Sequence, residues 1–556
     1  MKEIFEIADR MVDDTAAAMP IDATYLGVAG HDRDWGDQSI AGSEALRDLF
    51  ARQLAEVRSV PESSDPWARL AVEVLEESLD SAIARHDAGE PLRDLDSLAS
   101  TLQDLRQVFD HMDTGSLEGW EAIAARLEGL PEAMAGYRER LDEGRRKGMA
   151  AAARQAVEAI RQCRAASGAE SPFDSLAGQL EETAVGGEAL AARVGSGITV
   201  AKAAFAELGD YFEKEYLPDA PARDAVGRDR YVANARRFLG TTIDPLATYE
   251  WGWSEVSRLR EEMTAVGEQI VPGATLAEVL EVLATDPARA ASSPGEFQRL
   301  MAERQAIAFR DLNGSQFDVP ESVSGVEVKL APPGGPLGAY YVGPSEDFSR
   351  AGCVWFSIGD ATTIPMFDQV STAYHEGFPG HHLQVGLQMA TADKTTRYHR
   401  LWVWYPGSGE GWALYAEDIM QELGYLEKPD YLTGKLASEM LRACRVVIDI
   451  GSHLELPIPG GQPFHPGEAW TYETGVEMLV GYAAQSRPMS ESEMNRYLGW
   501  PGQAIAYKVG QQAIRDLRAE EQARLGAAFD LKSFHARLLE VGSIGLDTLR
   551  AWMRRT

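Results

Sequence analysis

The sequence predicts a mainly α-helical fold that carries one small β-sheet. Up to about Gly314, apolar residues recur at spacings of three and four, as in ALRDLFARQLAEVRSV, which is the pattern of amphipathic helices. Between Ser324 and Asp360, the segments GVEVKLAPP, GAYYVGP and AGCVWFSIG combine β-branched and aromatic residues between Gly/Pro turns and predict three short strands. Helical spacing returns at Phe367 and continues to the C-terminus, apart from the Pro/Gly-rich stretch 457–466.

No linker rich in Pro, Gly and Ser divides the chain into separate domains. For description we distinguish an N-terminal helical region, 1–230, from a catalytic helical region, 231–556, which carries the sheet at about 324–360. We expect the two regions to share a core and to form one continuous structural unit.

Composition narrows the classes of function. The chain has 556 residues, 45% of them hydrophobic, which is enough to build a large core. Its 53 basic and 86 acidic residues give a formal net charge of -33, so the surface repels nucleic acid and anionic membranes. Cys163, Cys353 and Cys444 are isolated, which favours a reducing cytoplasm over a disulfide framework. No segment approaches the ~20 apolar residues of a membrane span, and we expect neither export nor anchoring.

The most informative motif is YHEGFPGHHLQ, residues 374–384, which begins like the zinc-binding H-E-x-x-H helix. The position four residues after His375 is Pro379, which cannot bind a metal. In an unbroken helix, His381 would lie roughly 120° out of line with His375, and His382 would lie about 10 Å further along the axis. If the segment 379–380 breaks the helix, His381 returns to about the position of an i+4 ligand. We therefore favour His381 over His382 as the second ligand.

A zinc site of this type needs a third ligand, which in thermolysin-like sites is a glutamate on a later helix. Glu410 in EGWALYAE is the best candidate. Glu417 lies two turns further along the same face and is placed to orient a ligating histidine, and we give the same supporting role to Asp449 and His382. Glu376 would act as general base and then as acid. Each histidine alone is more often structural, but the joint pattern favours a metal.

Two later segments carry further polar groups. In RACRVVIDIGSH, the residues Arg442, Arg445, Asp449 and His453 project along one side of an otherwise apolar helix, which indicates either a polar cleft or a structural ion-pair stripe. In WPGQAIAYKVG, Tyr507 could donate a hydrogen bond to an oxyanion, although a tyrosine at helical spacing is more often part of a core. The nearby Gly510 permits close approach of another backbone.

These motifs together resemble a bacterial family described as domain of unknown function 885, a zincin-like group. The resemblance rests on HEGFPGHHLQ, EGWALYAE, RACRVVIDIGSH, WPGQAIAYKVG and FHARLLEVG and spans nearly the whole chain. It implies a large helical metallopeptidase-like array, with a small β-sheet next to the metal-binding helix and a cleft between two helical halves. The implied ligands are His375, His381 and Glu410, with Glu376 as base and Tyr507 or His453 as transition-state donor.

The function expected from these observations is zinc-dependent hydrolysis of short peptides, with one divalent ion per chain. Arg442, Arg445 or Lys508 could bind a terminal carboxylate, which would make the enzyme a carboxypeptidase or dipeptidase. The same metal and base could instead cleave an ester or a non-peptide amide. The alternative from another class is a helical scaffold or binding protein without catalysis. We expect neither nucleic acid nor a membrane as partner.

Overall fold

The computed structural model describes residues 2–183, 185–331 and 338–555, and most of them are helical. The first helices are α1 (Lys2–Ala18), α2 (Pro20–Leu26), α3 (Ile40–Arg58), α4 (Pro66–Asp87), α5 (Thr101–Gln107), α6 (Leu117–Arg146), α7 (Ala153–Ser167), α8 (Asp174–Thr183), α9 (Glu188–Tyr211), α10 (Arg228–Leu239), α11 (Pro245–Ile270) and α12 (Leu276–Thr285). They are followed by α13 (Pro294–Leu312), α14 (Gln369–Glu376), α15 (His381–Ala390), α16 (Arg397–Trp402), α17 (Pro406–Glu422), α18 (Pro429–Leu454), α19 (Tyr472–Ala483), α20 (Arg487–Gly499), α21 (Ala506–Leu525), α22 (Leu531–Leu539) and α23 (Leu546–Arg555). The mainly α-helical prediction is confirmed.

The helices belong to two compact units. One contains the chain up to Asp224 together with Thr396–Trp402 and Leu498–Trp500, and the other contains the remainder. In the part of the chain that the structure describes, no helix is both long and apolar enough to cross a bilayer.

The first unit is organised around α6, which packs against α9. Its N-terminus is capped by Ser116, whose hydroxyl accepts a hydrogen bond of 3.0 Å from the Gly119 amide. Apolar side chains of α6, including Trp120 and Leu127, recur at helical spacing and are fully buried. The residue opposite Leu127 on α9 is Gly197, where an added Cβ would lie 2.7 Å from the Leu127 side chain, so the two helices pack closely.

The predicted strands form a three-stranded sheet in the second unit. They are β2 (Val326–Leu330), β3 (Gly338–Val342) and β4 (Gly352–Ser357), and β4 lies in the middle, parallel to β2 and antiparallel to β3. Two further short strands, β1 (Ala290–Ala291) and β5 (Ile364–Pro365), form a separate antiparallel pair. The end of the first predicted segment, 332–333, lies outside the described residues.

The three-stranded sheet lies beside the helix that begins with the second half of the histidine motif. The Tyr341 hydroxyl of β3 lies 3.0 Å from Nδ1 of His382 on α15. A Cβ on Gly352 of β4 would lie only 2.9 Å from the same ring nitrogen. The prediction of a small sheet next to this helix is therefore confirmed.

The helices α17 and α21 approach each other backbone to backbone. A Cβ on Gly510 would lie 1.9 Å from the Gly407 carbonyl oxygen, and one on Gly411 would lie 2.5 Å from the Gly510 carbonyl carbon. Only glycine permits such an approach at both positions. The contact fixes the first turns of α17, which carry Glu410, against the helix that carries Tyr507.

Candidate metal centre

The histidine motif is broken at the predicted place. Helix α14 ends at Glu376, and α15 begins at His381. The intervening backbone turns back on itself, so the Gly380 amide donates a hydrogen bond of 3.0 Å to the Tyr374 carbonyl. A Cβ on Gly380 would lie 2.0 Å from the His375 carbonyl oxygen, so a larger residue would clash there.

Two buried side chains hold this break in place. Gln305 of α13 accepts a hydrogen bond of 2.6 Å from the Phe378 amide and donates one of 2.7 Å to the Ala373 carbonyl. Trp412 of α17 donates from its indole nitrogen to the Pro379 carbonyl at 2.9 Å. The two side chains thus hydrogen-bond to backbone groups of the break and of the helical turn before it.

The break brings His375 and His381 together. Their ring centroids are 5.0 Å apart, and the rings are nearly perpendicular, at 89°. Oε2 of Glu410 lies 3.3 Å from Nε2 of His375 and 3.3 Å from Nε2 of His381. One ligand atom from each of the three residues lies within 4.8 Å of the other two. The three residues that the sequence predicts as ligands therefore lie close together in space.

The donor set of this cluster fits a zinc ion. Two imidazole nitrogens and one carboxylate oxygen are the protein ligands of thermolysin-like catalytic zinc sites. Oε2 of Glu410 is buried and makes no well-directed hydrogen bond in the described part of the chain, although both imidazoles approach it. A buried carboxylate oxygen in this situation is stabilised by a cation.

Glu417 orients the first histidine. Its Oε1 accepts a hydrogen bond of 2.9 Å from Nδ1 of His375, and its other oxygen accepts a short hydrogen bond from the Ser371 hydroxyl. Nδ1 of His375 is therefore engaged, which leaves Nε2 as the nitrogen directed at Glu410. The expected supporting role of Glu417 matches this geometry.

Electrostatic interactions within the cluster are strong. Burial disfavours the charged His375 ring, but its contacts with Glu410 and Glu417 outweigh this effect and raise the pKa of His375 to about 10. Burial also opposes ionisation of Glu410, yet the charge of His381 and the contact with His375 hold the pKa of this carboxyl well below its usual value. The pKa of Glu376 is raised, mainly because its carboxyl is buried.

Of the other predicted residues, Arg442 lies near Glu376, and Tyr507 lies beside Arg442. Arg442 is close enough to Glu376 for its positive charge to lower the pKa of that carboxyl, against the effect of burial. Its guanidinium carbon also lies 5.7 Å from the centroid of the Tyr507 ring. Arg442 of α18 therefore lies near Glu376 and beside Tyr507 of α21, which is partly exposed.

Two of the predicted supporting or catalytic residues are engaged with each other and with other parts of the fold. His453 is fully buried, and its Nε2 donates to the Tyr497 carbonyl at 2.9 Å. Asp449 accepts hydrogen bonds from the Tyr231 hydroxyl at 2.6 Å and from the Gly502 amide at 3.0 Å, and it lies 3.6 Å from His453. These contacts make the pair a buried structural connection, and we withdraw the catalytic expectation for His453.

The expectations for His382 and Lys508 are corrected in the same way. His382 donates from Nε2 to the Val323 carbonyl at 2.9 Å and receives the Tyr341 hydroxyl at Nδ1, so it supports the sheet contact and orients no ligand. Lys508 has no exposed side-chain surface, and its ammonium group pairs with Glu439 and, at 2.9 Å, with Glu255. A lysine enclosed in this way cannot receive a substrate carboxylate.

Nothing in the sequence pattern points to Gln305, Ser371 or Arg496. Gln305 lies about 70 positions before the motif it supports, on a helix with no unusual composition. Ser371 precedes His375 by one helical turn, and its role becomes visible only when Glu417 is placed. Arg496 lies 6.0 Å from the Tyr507 ring and is the third arginine beside that tyrosine.

Comparison with solved structures shows relatives of the same fold. The chain is similar to the "putative lipoprotein" from Colwellia psychrerythraea, with a TM-score of 0.87 and 23% identity over 99% of this chain and 98% of that one. It is also similar to a "putative lipoprotein of unknown function" from Shewanella oneidensis, with a TM-score of 0.77 and 16% identity over 99% of each chain. At these identities the likeness establishes the fold alone.

The family comparison covers nearly the whole sequence. The model described as "Bacterial protein of unknown function (DUF885)" matches residues 20–553. No match was found among the curated proteins. The expected family membership is thereby confirmed, and the chain belongs to the bacterial DUF885 family.

Proposed function

We propose that this protein is a zinc-dependent hydrolase that cleaves short peptides. The observation that carries the proposal is the convergence of His375, His381 and Glu410, whose ligand atoms lie within 4.8 Å of one another. Glu376 directly follows the first of these residues in sequence, as the base follows the first histidine in the H-E-x-x-H motif. The arrangement supports one divalent ion per chain, and zinc is the ion that this donor set favours.

The chain's own residues then divide the chemistry between them. A zinc ion, when bound, would supply a Lewis acid that acidifies water and polarises a carbonyl group. Glu376 would accept the proton from the attacking water at its carboxylate and deliver it to the leaving amine. Tyr507 is the candidate donor of a hydrogen bond to the negative charge that develops on the carbonyl oxygen. Glu417 would keep His375 in the required orientation.

Two features favour a peptide over other substrates. Strand β3 is an edge strand of its sheet among the described residues, and the contact between Tyr341 and His382 places it beside the motif helix. An extended peptide can pair with such an edge through its backbone. Trp404, whose surface is 46% exposed, lies 6.4 Å from the His381 ring and offers an apolar face to a substrate side chain.

The decisive experiment combines metal analysis with a peptide-library digest. The full-length protein, purified without chelator, is assayed for zinc by elemental analysis and is then incubated with the library, whose products are identified by mass spectrometry. We expect about one zinc per chain and cleavage that stops when the metal is removed and returns when zinc is added. Zinc at that ratio with cleavage of an ester or a non-peptide amide only would favour the alternative substrate class. Absence of bound metal across preparations would favour the scaffold.

We also propose the cytoplasm as the place of action. All three cysteines are free and buried, which is typical of proteins in a reducing compartment. The two structural relatives described as putative lipoproteins give the contrary expectation of an envelope location. Fractionation of the native cells, with the protein detected by antibody, separates the two.

A further inference from the structure

Three arginines surround the ring of Tyr507. The guanidinium carbon of Arg445 lies 4.7 Å from the ring centroid, that of Arg442 lies 5.7 Å away, and that of Arg496 lies 6.0 Å away. Arg442 and Arg445 are three residues apart and therefore share one face of α18. We call these three arginines and Tyr507 the arginine cluster.

The cluster carries more positive charge than its own carboxylate neutralises. Glu493 accepts hydrogen bonds from Arg445 at 2.7 Å and from Arg496 at 2.9 Å. Arg442 donates instead to the hydroxyl and carbonyl oxygens of Ser438, which carry no full charge. One carboxylate therefore pairs with two of the three guanidinium groups and the third donates to neutral oxygens, so an additional anion would stabilise the arginine cluster.

Several guanidinium nitrogens are also left without partners. Arg445 is only 6% exposed. Its Nη1 is buried, yet it makes no hydrogen bond within the described residues. Nε of Arg442 and Nε of Arg496 are in the same condition. Buried donors of this kind are rare unless a ligand or water completes them, and a planar carboxylate is the natural partner of guanidinium groups.

The arginine cluster lies close to a helix of the candidate metal centre. Gly510, three residues after Tyr507 on α21, packs backbone to backbone against Gly411, which directly follows the proposed ligand Glu410 on α17. A substrate group held at the arginine cluster would therefore lie near that proposed ligand. Tyr507 is partly exposed, so the cluster is accessible from outside the core.

We propose that the arginine cluster binds the free C-terminal carboxylate of a short peptide, so that the enzyme cleaves close to the C-terminus. This inference rests on the proposed hydrolase function for its second half, the position of cleavage. The first half, recognition of a carboxylate, is independent of catalysis. Anchoring the chain end would fix which peptide bond reaches the metal centre, because the distance between cluster and centre is fixed by the fold.

The test measures binding without turnover. The zinc-loaded Glu376→Gln variant of the full-length protein is titrated by calorimetry with an N-acetyl tripeptide, with its C-terminal amide, and with an amide of the same length that carries a glutamate side chain. We expect the free acid to bind at least about 10-fold more tightly than either amide, because only the acid offers a terminal carboxylate to the guanidinium groups. Equal affinity for the acid and the plain amide overturns the proposal. Tight binding of the glutamate-containing amide shows that the site takes side-chain carboxylates and overturns it as well.

A variant localises the effect. Adding Arg442→Gln should remove the preference for the acid and leave the affinity of the amide unchanged, because Arg442 donates its hydrogen bonds to the neutral oxygens of Ser438. The matched control is Arg299→Gln, which removes an exposed arginine that pairs with Glu303 on α13. A preference that survives in Arg442→Gln refutes the assignment. If the variant prefers the acid but the wild-type protein hydrolyses no peptide in the library digest, the carboxylate site is supported and the hydrolase proposal is refuted. The failures of the two proposals are therefore distinguishable.

Discussion

Nδ1 of His375 lies 2.9 Å from Oε1 of Glu417, and this contact decides which nitrogen of the ring is available to a metal. Because the carboxylate accepts the hydrogen of Nδ1, Nε2 is the ring nitrogen that faces Glu410 and His381. Glu410 and Glu417 lie seven residues apart on α17, so a single helix supplies both a proposed ligand and the group that orients another proposed ligand.

Replacing His375 by Ala should abolish zinc binding, because the remaining two ligands cannot hold the ion against competition from buffer. Elemental analysis should fall from about one zinc per chain to near zero, as it should for Glu410→Ala. The matched control is His465→Ala, which removes an exposed histidine that pairs with Glu468 and Glu477. Equal zinc content in His375→Ala and His465→Ala would remove His375 from the site.

Replacing Glu417 by Gln should weaken zinc binding by about 10- to 100-fold without abolishing it, since the amide no longer offers a charged acceptor to Nδ1. Competition with a calibrated zinc chelator measures the dissociation constant. An unchanged constant would show that Glu417 supports the fold and has no influence on the metal.

Glu376→Gln should retain the metal and lose activity by a factor on the order of 10² to 10⁴, because the amide cannot accept the proton of the attacking water. Zinc content and steady-state rates on the best library peptide are measured on the same sample. If the rate in this variant equals that of the wild type, another group acts as base.

Substitution at the contact between α17 and α21 should destabilise the protein. In Gly510→Ala the new methyl group would lie 1.9 Å from the Gly407 carbonyl oxygen, so the helices must separate at a cost of about 1–3 kcal/mol. Chemical denaturation measures the loss. The control is Gly481→Ala in α19, where nothing lies within 4 Å of the added Cβ and a gain of about 0.5–1 kcal/mol is expected. Equal stability of the two variants would contradict the close approach.

Asp449→Asn should change how stability depends on pH. Burial raises the pKa of Asp449 from 3.8 to about 7, so the folded protein favours the neutral acid. The stability that this group contributes is complete below pH ~4 and is lost as the pH rises to about 7. The Asn variant lacks this loss, so its free energy of unfolding relative to the wild type should rise between pH 4 and 7, by up to about 1.4 kcal/mol per pH unit, and then level off. Denaturant titrations across this range check the trend, and a difference that is constant with pH would contradict it.

The sequence predicts the fold class and the three convergent residues well, because both depend on local patterns. Apolar periodicity fixes the helices, and the proline four residues after His375 requires a break that the structure places between Glu376 and His381. The sequence does not predict which surroundings the polar groups on α18 and α21 have in the fold. Periodicity places Asp449 on a polar side of its helix, and Lys508 is a candidate for binding a carboxylate. Whether each group meets a cleft or a buried partner depends on which distant residue packs there, such as Tyr231 or Glu439.

The break between α14 and α15 also has a consequence for how such centres can diversify. Removal of the dipeptide Pro379-Gly380 from the sequence would restore the uninterrupted string H-E-x-x-H, with His381 as its final letter. The two additional residues therefore act as an insertion that the turn absorbs, with Gln305 and Trp412 securing the enlarged loop. The two candidate ligands His375 and His381 can therefore lie close together in space although the sequence separates them by two more residues than H-E-x-x-H does.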